Sequence, residues 1–272
     1  MYISVDVAYI WCGRIAGIAT VLSSLEEISF LREFSSGGRY DSRAMDVGVG
    51  DSAPRIVQML SSAKTQTLSV ALSMRFLAGL ALVLASNSKI LMTISFLIAA
   101  ATTSLIRWRH GYGGEDGGDQ MLTIMTATFA ACLILAYASP VIATVGLYFI
   151  GAQACLAYVT AGIAKLASRE WRRGFAVRGV LSTRSYGSRS LARIVQKSGK
   201  ISLLLCWVTI AFETAFLLAP LLPQKFLIIL LIVAGLFHAS VAYAMGFNRF
   251  FWSFLATYPA ILFLNQAVRS LL

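Results

Sequence analysis

Lys165, Glu213, His238 and Arg75 each lie within or at the end of a long apolar stretch, where an ionisable side chain needs a partner or a task. At mid-bilayer such a group costs roughly 2.5–3.5 kcal/mol on insertion scales. Glu213 falls in the outer half of its stretch and His238 near the centre of the next, at depths that differ by roughly 7 Å at the helical rise per residue. If the two helices are neighbours, that pair suits proton handling by a carboxylate and an imidazole lining a cavity. The alternative is a protonated Glu and a neutral His, each hydrogen-bonded to a neighbouring helix. Lys165 closes the string Tyr158-Val159-Thr160-Ala161-Gly162-Ile163-Ala164-Lys165. Its small residues at 161, 162 and 164 admit a closely packed neighbour. The amine either snorkels to the interface or is desolvated and available as a base. Arg75 shares its expected depth with Glu26 and Glu27 of the preceding stretch, so a structural Arg–Glu bridge that registers two helices is expected.

A second polar cluster, Arg107 to Gln120, sets His110, Glu115, Asp116 and Asp119 among glycines. Oxygen ligands of this kind suit a divalent cation, but the spacing is not that of an EF-hand loop. A tight turn held by Asp side chains is expected instead, with no metal.

Hydrophobic residues make up 58% of the 272 positions and charged residues 13%, with a mean hydropathy of +0.74. Soluble domains carry about 45–50% and about 25%. This excludes an ordinary soluble domain, a disordered chain and a collagen-like fibre. The expectation is one all-α integral-membrane domain over 1–272, a polytopic bundle. Eight spans are expected, at 5–31, 69–86, 89–106, 120–138, 141–165, 200–221, 225–246 and 250–270. Asn87, Ser139-Pro140, Pro220 and Pro223 punctuate them. The four cysteines lie in apolar runs with no C-x-x-C spacing, so neither a disulfide framework nor a zinc site is expected. Met1 to Asp6 has no basic region, so no cleavable signal peptide is expected.

The net charge of +11 points to lipid headgroups and cytoplasmic loops rather than nucleic acid. Seventeen Lys and Arg residues fall on one side of the expected spans and three on the other. The positive-inside rule places the first group, including loop 32–68 and segment 166–199, in the cytoplasm and both termini outside. Residues 35–54 are expected to be a flexible loop. Near 167–197, Arg169, Arg172, Arg173 and Arg178 interleave with Trp171, Phe175 and Val180. This suits an amphipathic interfacial segment, with guanidinium groups on anionic lipid headgroups.

The string Ala161-Gly162-Ile163-Ala164-Lys165-Leu166, followed by Trp171 and Gly174, resembles the A-G-x-x-K-L … W-x-x-G segment of the horizontally transferred transmembrane domain. That domain is the membrane portion of the vitamin K-dependent gamma-carboxylase superfamily. Phe237-His238, Met245-Gly246-Phe247 and Phe250 … Leu255-Ala256 resemble its late helix pair. Gly117-Gly118-Asp119-Gln120 resembles the polar turn of bacterial members, including the membrane-only sporulation-delaying protein B group. The resemblance covers about 105–260. It implies that Lys165 occupies the position of the carboxylase base, that Asp119 stands nearest the family's histidine before the fourth span, and that a quinone-type cofactor is conceivable. It also implies a role in maturing or exporting a small secreted antimicrobial peptide, together with an accessory membrane or soluble protein. Lys165, His238, Glu213 and Asp119 are the candidate catalytic set. A transporter, an immunity-type protein or a scaffold without covalent chemistry is the competing expectation.

Overall fold

The computed structural model describes residues 3–35, 37–38, 64–85, 87–110, 117–183 and 187–272. Within them the chain is all-α, with no strand. Helices α1 (Val5–Ser29), α2 (Thr65–Ala85), α3 (Lys89–His110), α4 (Gly117–Leu135) and α5 (Val141–Ala167) come first. Three short helices follow: α6 (Arg169–Arg172), α7 (Ala176–Leu181) and α8 (Arg189–Lys197). Then come α9 (Gly199–Ala215), α10 (Gln224–Met245), α11 (Asn248–Leu255) and α12 (Tyr258–Arg269). Eight of these stretches are long and apolar enough to cross a membrane, α11 and α12 counting as one. The protein is therefore a polytopic membrane protein. The expected loop 35–54 lies, apart from Ser35, Gly37 and Gly38, outside the described residues.

Two expected elements take a different form. The eighth span is not one helix but two, because Pro259 has no N–H to donate and its ring collides with the carbonyl four residues back. That residue is Leu255, where α11 ends. The segment 167–197 is not one amphipathic helix but three short ones. Gly174 sits at φ +78 between the first two, a conformation that only glycine adopts without strain.

The described chain forms two compact units, Tyr9–Gly146 and the remainder, namely residues up to Ala8 with Leu147–Leu272. In the first, α1 and α2 cross backbone to backbone. A Cβ on Gly17 would stand 2.6 Å from the Gly79 carbonyl oxygen, so neither position tolerates a side chain. Tyr9, Phe96 and Phe129 form its ring cluster, with centroids 4.6 and 5.4 Å apart along the chain of contacts. Tyr9 Oη donates to the Ala143 carbonyl at 2.9 Å.

In the second unit the connection between α9 and α10 is held by one side chain. Asn265 Nδ2 of α12 lies 2.8, 3.1 and 2.9 Å from the carbonyl oxygens of Ala219, Pro220 and Leu222, its two hydrogens shared among the three. This turn contains Pro220 and Pro223, which have no N–H, so its carbonyls must find donors elsewhere. Asn265→Leu is expected to cost about 1–3 kcal/mol, the penalty for buried groups left unsatisfied. Thermal unfolding in detergent measures it, and an unchanged midpoint means water serves the three carbonyls. Gln266 ties the other end of the chain: its Oε1 accepts from Ile3 N–H at 2.8 Å and its Nε2 donates to Ile3 O at 3.3 Å.

Candidate functional site

The polar residues of the second unit meet where α5 packs on α9. Gly162 makes this possible, since a Cβ there would lie 2.8 Å from Thr214 and 3.1 Å from Glu213. One turn further along α5, Lys165 Nζ reaches both carboxylate oxygens of Glu213, at 2.9 and 2.8 Å. The Glu213 side chain is 5% exposed and that of Lys165 20%. The Trp171 ring covers the ammonium, with its centroid 5.2 Å from Nζ.

The contact also explains why simple depth counting misassigns partners. α5 does not stop level with the start of α9. The chain beyond Lys165 continues along α9, so that Gly174 abuts Leu203 and accepts a hydrogen bond from Ser202. Glu213 therefore lies 14 residues, about 21 Å, along α9 from its first residue. The neighbouring side chains Leu203, Leu204, Leu205, Trp207 and Val208 are exposed, as a lipid-facing surface requires. Lys165 is thus a partly shielded ion-pair partner, not an amine reaching freely into water.

His238 is buried at 2% exposure and bonds to Tyr158 Oη through Nε2 at 2.7 Å, rather than to Glu213. Tyr158 Oη is also 3.4 Å from Tyr258 Oη. The Tyr158 ring stacks on Phe216 at 3.8 Å, and the His238 ring on Phe254 at 4.7 Å. The Nδ1 atom of His238 has no hydrogen-bond partner among the described residues.

Tyr158 and Tyr258 were not among the residues expected at this site. A signal for Tyr158 existed, because it precedes Lys165 by seven residues, two helical turns, and so shares its face. Nothing in the sequence marks Tyr258, which the break before α12 brings into the cluster.

The other candidates stand as follows. Asp119, half-buried in the first turn of α4, belongs to the Tyr9–Gly146 unit, where its charge suits the helix N-terminus. Residues 111–116, and with them Glu115, Asp116 and three of the cluster's glycines, lie outside the described residues. Arg75, 2% exposed, lays its guanidinium on one turn of α1. Nε donates to Ser24 Oγ at 3.1 Å, and Nη2 to Ser23 Oγ and to Glu27 Oε1, the latter at 3.4 Å. Glu27 is buried with it, and Glu26 is half-buried on the next position of the helix. Arg169, Arg172, Arg173 and Arg178 are exposed or half-buried along α6 and α7. Beside them Glu170 is fully exposed. A backbone N–H, the Ser168 hydroxyl and the arginines nearby hold its carboxyl below the usual range.

The Lys165–Glu213 contact can move a proton without net change of charge. Transfer from Nζ to a carboxylate oxygen turns an ion pair into a neutral amine and a neutral acid, the form that a low-dielectric site disfavours least. A neutral amine is a base, and the acid beside it holds the proton. No family model, no characterised protein and no solved structure matches the chain.

Proposed function

We propose that this is a bacterial inner-membrane enzyme of the carboxylase-like transmembrane superfamily that assists the maturation or export of a small secreted peptide, with Lys165 as its base. The observation that supports the reading is the ion pair of half-buried Lys165 with buried Glu213, which gives the lysine partial shelter from water and an adjacent proton acceptor. Tyr158, two turns before Lys165 on α5, bonds to His238 and adds a second polar contact to the same unit. The basic loops lie in the cytoplasm and both termini outside, with Arg169, Arg172, Arg173 and Arg178 against anionic lipid.

The test compares small peptides in the medium of cells carrying the wild-type protein, Lys165→Arg or Lys165→Met, at matched membrane levels, by mass spectrometry. Arginine keeps the charge beside Glu213 but cannot release its proton. The expected result is a secreted species present with wild type and absent with both variants. A species that survives in Lys165→Arg overturns the base and leaves a structural ion pair. An unchanged set of peptides in all three removes the peptide role altogether.

A further inference from the structure

Between Trp171 and Phe212 the sequence carries eight Lys and Arg residues and neither Asp nor Glu. Within this stretch α7 and α8 enclose a cleft of about 560 Å³. Ser182, Thr183 and Gly187 line one side, and Ala192, Arg193 and Gln196 the other. Its frame is bonded internally. Gln196 Nε2 donates to Ser182 Oγ at 2.9 Å, Ser182 Oγ donates to the Arg178 carbonyl at 2.7 Å, and Thr183 Oγ1 to that of Val180 at 2.8 Å. Among the described residues of the lining Arg193 is the one charged side chain, and it is exposed.

The surroundings are apolar and open. Ala192 and Val195 bury one flank of α8, while Ile194 is 55% exposed, with Phe175 and Val180 exposed on the preceding turns. A guanidinium in a polar cleft beside bare aliphatic groups matches a molecule with an anionic head and a hydrocarbon body. A free phosphate would satisfy only the first half. An open cleft with one guanidinium holds a free anion weakly, whereas insertion of acyl chains keeps the head at high local concentration.

We infer that this cleft binds the phosphodiester headgroup of one anionic phospholipid, with Arg193 on the phosphate and the acyl chains beside Ile194. The inference rests on the reading that the basic segment lies on the lipid surface.

The test uses the full-length protein, purified and delipidated in detergent, with lipid retention followed by native mass spectrometry. Phosphatidylglycerol and phosphatidylcholine are the probes, and inorganic phosphate is the competitor. Wild type is expected to keep one phosphatidylglycerol about fivefold more tightly than Arg193→Gln, the effect of a single basic residue at an anionic surface. Arg193→Lys should be intermediate. Arg172→Gln/Arg173→Gln should keep that tight molecule while losing looser ones. Equal retention by wild type and Arg193→Gln overturns the cleft, and weaker overall retention in the Arg172/Arg173 variant then shows that the surface reading stands without it. No preference for phosphatidylglycerol in any variant overturns both. Displacement of the lipid by inorganic phosphate assigns the cleft to the free anion and overturns the lipid.

Discussion

Lys165→Met is expected to destabilise the protein by about 3–5 kcal/mol, because it leaves the Glu213 carboxylate buried without its counter-charge. Lys165→Met/Glu213→Met should recover most of that loss, since replacing a buried pair with apolar side chains is often neutral or stabilising. The comparison decides between two pictures of the lysine. Were it merely snorkelling, the single change would cost little and the second would add to it. In the buried pair, the second change relieves the first. Thermal unfolding of the four proteins in detergent gives the coupling directly. The same asymmetry is why Lys165→Arg, which keeps the ion pair, is the informative partner of Lys165→Met in any assay of function.

Arg75→Met should be comparably severe, about 3–5 kcal/mol, because Glu27 is left buried and charged. Arg75→Lys is expected to cost about 1–2 kcal/mol. An ammonium keeps the charge, but it cannot spread donors over Ser23, Ser24 and Glu27 as the planar guanidinium does. A melting series in detergent orders wild type, Arg75→Lys and Arg75→Met, and a midpoint for Arg75→Lys equal to that of wild type would sink the fork geometry as a source of the stability. The first-unit crossing explains the leverage. With backbones touching at Gly17 and Gly79, α1 and α2 have no slack to bring another side chain to the stranded carboxylate.

The spans were legible because long apolar runs bounded by Asn87, Ser139-Pro140, Pro220 and Pro223 admit few other readings. Several boundaries coincide, such as the starts of α3 at Lys89 and α5 at Val141. The break in the last span was legible in principle from Pro259, but a run of apolar residues on both sides concealed it. The pairings were less accessible. Depth counted from each span's own ends assumes that all ends lie in common planes. α5 and α9 are staggered, so Lys165 in the last turn of α5 meets Glu213 in the last turn of α9, far from the start of that helix. Which helices are neighbours, and by how much they slide past one another, is set by contacts such as Gly162 on Thr214. Such contacts involve residues far apart in the chain. Arg75 with Glu27 was easier, because adjacent antiparallel helices joined in sequence make equal depth a fair guide.

The Asn265 clamp also bears on the order in which the protein is made. Asn265 follows Ala219 by 46 positions, so the turn between α9 and α10 leaves the ribosome well before the amide that serves its carbonyls. Ile3 waits longer still, 263 positions, for Gln266. Until α12 has entered the bilayer, both places must be served by water or by passing partners. Spans can insert singly and associate afterwards. Here the late arrival of one helix closes the early part of its unit, so assembly of the Leu147–Leu272 segment is completed only after its synthesis is nearly over.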